Sequence, residues 1–370
     1  MTVNEDLRDA AIRHTILLER FTRREVALIL RFLDDKVYPD ILREVERIGN
    51  RMEGSDFVKL GAVRRRRRLL AMLQDLDSVV RGGTVAFHGE LRERLVALSG
   101  EEASWQLRTI ERVVDPIQLG LRKPGAQLLR SIVTTRPMTG RFLREWSASV
   151  GAQTSRNVRQ AIQIGLAQGE HTDEIVRRVR GRRINGFRDG VLETSRRSAE
   201  AVVRTAVSHV FAHARQAVFE ENRDIVDRVQ WVSTLDLRTS QICAGLDGRT
   251  WPVGSGPRPP AHVNCRSSVV PVLVPAEAVP GFDPSKIPPA TRASMNGEVA
   301  ESVTFGKWLR QQPAATQDMV LGPGKGALFR RGRVPIEKFV DVPALRPLSL
   351  AELRRIEDGI VARAGARAAG

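Results

Sequence analysis

The chain has 370 residues, 42% of them hydrophobic, which excludes a wholly disordered protein and predicts two or three domains rather than one core. Aromatic residues make up 5%, with the single tyrosine Tyr38, which argues against an aromatic-platform reader of single strands. Lys plus Arg number 59 against 43 Asp plus Glu, a net charge of +16 that favours a polyanion such as DNA, or an acidic protein surface. Most of the basic residues are arginine. Arginine is the better fork for phosphate and carboxylate, and codon usage in a GC-rich genome produces the same bias.

Residues 1 to 115 read as long helices. Ile12, Ile16, Phe21, Leu28, Phe32 and Leu33 recur at helical spacing with charges between them. Tyr38-Pro39 is expected to break that stretch, and Gly49 and Gly54 to mark the next boundary. The following helix carries Arg64, Arg65, Arg66, Arg67 and Arg68. At about 100° per residue these five spread around a helix, as a solvated face or as a contact with nucleic acid or an acidic partner. Gly82-Gly83 is expected to end that helix, and Ser99 with Glu102 to start another as a capping box.

A second helical region is expected over 116–227. Pro116, Pro124 and Pro137 mark its connections, Gly169 and Gly181 stop helices, and Thr172 caps one. Residues 228–275 change texture. Val229 to Ser233 alternate like a strand, Asp247-Gly248 suits a turn, and Ser267 to Val274 reads as another strand. Residues 276–300 look like a Pro/Ala-rich linker, and 301–370 like loops and short helices. The expected class is therefore α+β, mostly α: a long helical N-terminal half, then a small α/β module with short strands and a Cys/His knuckle. No run of about eighteen apolar residues suggests a membrane span. The polar, acidic N-terminus predicts no secretory signal, and two cysteines are too few for a disulfide scaffold.

Both cysteines fall in one dense cluster. His262 and Cys265 are spaced H-x-x-C, and Cys243 approaches from the other arm of a hairpin. Zinc takes such N/S donors tetrahedrally. Asp236 is the nearest candidate for a fourth ligand, and His209 with His213 the other. Cysteines packed as small hydrophobes are the alternative.

The order Arg204-Thr205, Trp231, Asp236-Leu237-Arg238-Thr239, Cys243, Leu246-Asp247-Gly248 and Pro259-Pro260-Ala261-His262-Val263-Asn264-Cys265-Arg266 resembles the Mu F-like minor head proteins of tailed phages, the phage head morphogenesis family. The likeness runs over roughly 120–355 and is densest over 200–270; Phe305 to Leu309 and Leu348 to Leu353 resemble the end of such proteins. It implies a minor structural protein of the capsid, found with the portal vertex in few copies and used in head morphogenesis and in packaging or delivery of the genome; the expected role is therefore not that of an enzyme. Its implied partners are the portal, other head proteins and packaged double-stranded DNA. Its implied place is the virion, and the host cytoplasm during assembly. Two departures stand out. Relatives carry a further Cys near Thr239-Ser240, and Arg-Thr-Glu where this chain has Arg204-Thr205-Ala206.

Other signals point elsewhere. Gly322-Pro323-Gly324-Lys325-Gly326 lacks phosphate-loop spacing and is expected to be a flexible surface loop. The Gly165 to Gly181 stretch is a helical hairpin before it is a DNA-reading helix-turn-helix. A metal-dependent nuclease or other hydrolase acting on DNA is the alternative function. It needs a general base and open metal positions, and the sequence offers no spare histidine for them near Cys265.

Overall fold

A computed structural model describes residues 3–114, 120–274, 291–295, 297–300 and 303–368. Pro116, expected to mark a connection, lies outside them. The chain compacts into two units that do not follow chain order. One is built from residues 21–97 and 133–207, the other from 1–20, 98–132 and 208–370.

The 21–97/133–207 unit is helical. Helix α1 (Val3–Phe32) passes through a π-helical turn at Leu33–Val37 directly into α2 (Tyr38–Glu53), so Pro39 sits in the first turn of a helix. The wider π-turn before it accommodates the proline, and the break that the sequence predicts there does not occur. After the short α3 (Ser55–Val58) comes α4 (Ala62–Val114), 53 residues without interruption. Gly82-Gly83 therefore does not end a helix, and Ser99 and Glu102 lie inside one. Helix α6 (Leu143–Gln168) ends at Gly169 with φ +71°, the left-handed stop that glycine supplies at least cost. Helix α7 (Thr172–Arg180) follows, and Glu174 accepts a hydrogen bond from the His171 backbone N–H at its start.

Glycines inside these helices allow close approach. A Cβ on Gly83 would stand 2.4 Å from Cγ1 of Val37, one on Gly151 2.1 Å from Oγ1 of Thr84, and one on Gly49 2.6 Å from Oγ1 of Thr172. Gly82, its neighbour, has nothing within 4 Å. The two adjacent glycines should therefore respond with opposite sign. Gly82→Ala gains about 0.5–1 kcal/mol from helix propensity. Gly83→Ala loses about 1–3 kcal/mol by overpacking against Val37. Urea unfolding of the two variants checks this, and equal shifts would remove the packing explanation.

In the other unit, α5 (Ala126–Thr134) precedes the C-terminal part of α8 (Val191–Glu221), which leads into a three-stranded antiparallel sheet. Its order is β2 (Thr250–Pro252), β1 (Val226–Val232), β3 (Ser268–Leu273). Trp231, opposite Val269, is fully buried, and its indole N–H donates to Ser233 Oγ at 3.0 Å. Between β1 and β2 lies the six-residue α9 (Gln241–Leu246). Within 276–300, residues 276–290 fall outside the described residues, and β4 (Thr291–Ser294) pairs with β5 (Gly297–Ala300).

The C-terminal elements are α10 (Phe305–Arg310), α11 (Ala314–Leu321), α12 (Pro323–Arg331), the short pair β6 (Val340–Asp341) and β7 (Arg346–Pro347), and α13 (Leu350–Ala368). Their Phe305, Trp308, Leu309, Phe329 and Phe339 share one core with Leu235 and Ala244 beside the knuckle. The Gly322 to Gly326 stretch is the entry to α12, with Pro323 in the first turn, and not a flexible loop. Lys325 Nζ donates to Gln241 Oε1 at 2.8 Å, which ties that helix to α9.

Candidate metal centre

Ser240 caps α9: its Oγ accepts the Cys243 backbone N–H at 3.2 Å. This places Cys243 in the third helical position with its thiol buried. On the opposite arm, Cys265 N donates to His262 O at 3.2 Å, and Asn264 turns the chain at φ +61°. That tight turn aims His262 and Cys265 at the same point.

The three donor atoms converge. Cys243 Sγ lies 3.7 Å from Cys265 Sγ and 3.3 Å from His262 Nε2. A tetrahedral zinc with Zn–S near 2.3 Å and Zn–N near 2.0–2.1 Å needs about 3.8 Å between sulfurs and about 3.5 Å from sulfur to nitrogen. Both distances lie close to these, and all three donor atoms fall within 4.8 Å of one another.

The histidine tautomer agrees. His262 Nδ1 is 2.9 Å from the Val263 carbonyl, which can only accept, so Nδ1 carries the proton. Nε2 then offers its lone pair toward the cysteines, the orientation that a carbonyl behind the ring imposes on metal-binding histidines. Ser240 Oγ, 2.9 Å from Nε2, donates to it and is the fourth polar atom at this point.

The two thiols are driven apart. A hydrogen bond from Cys265 draws the Cys243 thiol below the usual range against its burial, helped by Ser240 and Ser267. Cys265, which gives that bond and is itself buried, is pushed well up. Cys243 is thereby the readier of the two to give up its proton to a metal.

Asp236 is not brought into the trio. Its two oxygens accept from both guanidinium nitrogens of Arg266 at 2.6 Å each, and Oδ1 also accepts from Arg238 N at 3.0 Å. Burial works to raise the Asp236 carboxyl, but Arg266 and the Arg238 N–H together hold it below the usual carboxylate range. The pair clamps the arm that carries Cys265 to the one that carries Cys243. His209 and His213 also lie outside the trio. Their rings lie against each other on α8, tilted by 56° with centroids 4.3 Å apart, and His209 Nε2 sits 3.3 Å from the Ile132 carbonyl.

Asp247 is a residue whose role the sequence did not disclose. Its buried carboxylate accepts from Ser233 N and from Phe305 N, both at 2.7 Å. It joins the end of β1 to the start of α10. Gly248, at φ +80°, returns its N–H to Trp231 O at 2.8 Å. The Leu-Asp-Gly signature thus holds the knuckle on the C-terminal core. Arg64 to Arg68 lie in the first turns of α4, all five exposed and without an ion pair among the described residues.

Residues 156–270 match the model of the family described as Phage Mu protein F like protein. This stretch is similar to that family. It ends just past the knuckle and includes every motif residue from Arg204 to Arg266 that carries the resemblance. The residues outside 156–270 lie beyond the match. Comparisons with curated proteins and with solved structures gave no match. No helix among the described residues is long and apolar enough to cross a membrane.

Proposed function

We propose that the chain is a minor head protein of a tailed phage or phage-like particle, placed at the portal vertex, which works by contact and not by catalysis. The match over 156–270, which takes in the Cys243, His262 and Cys265 knuckle near its end, is the observation that carries this reading. Zinc at Cys243, His262 and Cys265 has a structural part to play, closing the two arms that Asp236 and Arg266 already clamp. The buried thiols leave little room for a substrate, which supports contact over hydrolysis. The portal and neighbouring head proteins are the protein partners, and packaged duplex DNA is the polyanion that the +16 charge suits.

Two measurements test it. Immunolabelling of heads assembled with the full chain should place it at a single vertex in few copies; labelling at every vertex, or none in heads, sinks the placement. The free protein should bind duplex DNA of any sequence, with affinity falling steeply as salt rises, because each neutralised phosphate releases counterions. Binding restricted to one sequence and stable at high salt contradicts the second half.

A further inference from the structure

Between α7 and α8 the chain makes an excursion whose ends nearly touch. Gly181 and Gly190 are both buried. A Cβ on Gly190 would come within 2.4 Å of Arg180 O and Gly181 N, and one on Gly181 within 2.6 Å of Phe187 O. Every residue from 182 to 189 is exposed. A pinched neck under a compact exposed loop is the geometry of an Ω-loop.

The loop is held in one shape. Asp189 accepts from Arg182 N at 2.9 Å, Arg182 Nε at 2.7 Å and Asn185 Nδ2 at 2.8 Å. These bonds hold its carboxyl well below the usual range. Residues Arg183–Asn185 form a 3-10 turn, and Gly186 and Phe187 follow at φ +58° and +62°. A phenylalanine in the left-handed region is costly, and such strain persists where the surrounding structure dictates it.

What the loop displays is unusual. Ile184 is 90% exposed, more than any other large apolar residue described, and Phe187 is 42% exposed. Scattered exposed apolar residues are ordinary, but a clamped loop that lifts one into solvent is not. Around them Arg180, Arg183 and Arg188 have no carboxylate partner among the described residues, and Arg180 lies 5.8 Å from the Phe187 ring centroid. Arg182 and Arg178 are occupied by Asp189 and Glu170.

We propose that this loop is a contact to duplex DNA: Arg183 and Arg188 take backbone phosphates, and Ile184 enters the groove between them. The inference rests on the DNA half of the function proposed above. Guanidinium forks match phosphate oxygens. An apolar side chain flanked by arginines is the pattern with which proteins enter and wedge the minor groove. Ile184, held out in solvent at 90% exposure, is a single side chain of the kind that a groove about 6 Å wide admits. An acidic protein surface would satisfy the arginines but gives no reason for an apolar side chain held out among them.

The experiment uses the full chain and a fluorescently labelled duplex of mixed sequence, titrated over a range of salt. Arg183→Ala and Arg188→Ala should each weaken binding and reduce the salt slope by about 1. Ile184→Ser should weaken binding about fivefold to tenfold with the slope unchanged, and should remove the signal of a 2-aminopurine reporter of unstacking. All three positions are exposed, so unchanged urea midpoints serve as the folding control. If the wild type binds with a steep slope and all three variants match it, the loop assignment falls while the DNA reading stands. If the wild type does not bind at low salt, the DNA reading falls and takes this inference with it. If the variants bind DNA normally but fail to enter heads, the loop contacts protein and the inference is overturned. Replacing Arg64 to Arg68 together with alanine separates the cases, since it removes charge without touching the loop.

Discussion

Glu102→Ala should destabilise the unit built from 1–20, 98–132 and 208–370 by about 3–5 kcal/mol, the cost of leaving a buried charge uncompensated. Arg215, on α8, is 0% exposed and Glu102, on α4, has a side chain 1% exposed. Arg215 Nε donates to Glu102 Oε1, and its Nη1 donates to Ser268 Oγ on β3. The guanidinium carbon lies 5.7 Å from the Trp105 ring centroid, and Nη2 has no hydrogen-bond partner among the described residues. The arginine is thus held at the junction of two helices and the sheet with one carboxylate as its counter-charge. Remove that carboxylate and desolvation is met by nothing but a hydroxyl, a carbonyl and an aromatic face. The double variant Glu102→Met/Arg215→Met should recover most of the loss, because it removes the charge along with its partner. Urea unfolding gives both values. A single-variant cost under about 1 kcal/mol would mean that water reaches the guanidinium, and the pair would then be no anchor.

Glu102 also shows where local pattern stops being informative. Ser99 and Glu102 have the spacing of a capping box, which is sound as local chemistry. It does not form because Glu102 answers to a residue 113 positions later, which no local pattern contains. The glycines behave in the same way. A glycine that ends a helix and one that lets two helices touch look identical in the chain. Gly169 and Gly54 are of the first kind, and Gly49, Gly83 and Gly151 of the second. The deciding partners are Thr172, Val37 and Thr84, side chains distant in sequence. Helix periodicity, by contrast, is legible, because one buried stripe imposes it residue by residue. The knuckle is legible because its chemistry is concentrated: both cysteines of the chain and a histidine at H-x-x-C spacing. Asp236 does lie near it, but as a clamp. Arg266, adjacent to Cys265, takes both of its oxygens, and a carboxylate in an Asp-x-Arg-Thr stretch reads equally well as a ligand or as a clamp. The 182–189 loop gives no signal in the sequence, since its meaning lies in exposure and a pinched neck, and composition records neither.

Protein purified without chelator should carry close to one equivalent of zinc, and Cys265→Ser should bring it close to none. The donor spacing is the first reason. Sulfurs 3.7 Å apart and a nitrogen 3.3 Å from one of them stand near the separations that a tetrahedral zinc needs. The second is protonation: His262 presents Nε2 as a lone pair because Nδ1 is engaged by Val263 O. The third is the depressed Cys243 thiol, which lowers the proton cost of binding. Because the unfolded chain has no such site, binding energy becomes folding energy for the knuckle. A chelator, or the Cys265→Ser change, should therefore raise amide exchange over 230–270 while α6 keeps its protection. Zinc should also be lost as pH falls, since protons compete for Nε2 and for both sulfurs. Thr239 and Ser240 stand where the family resemblance places another cysteine, and Ser240 Oγ lies 2.9 Å from Nε2. Ser240→Cys should then tighten zinc, because a thiolate replaces a hydroxyl at the fourth polar position. Metal analysis that finds no zinc in native protein, with Ser240→Cys equally empty, would leave the three side chains as core packing tied by Asp236 and Arg266 alone.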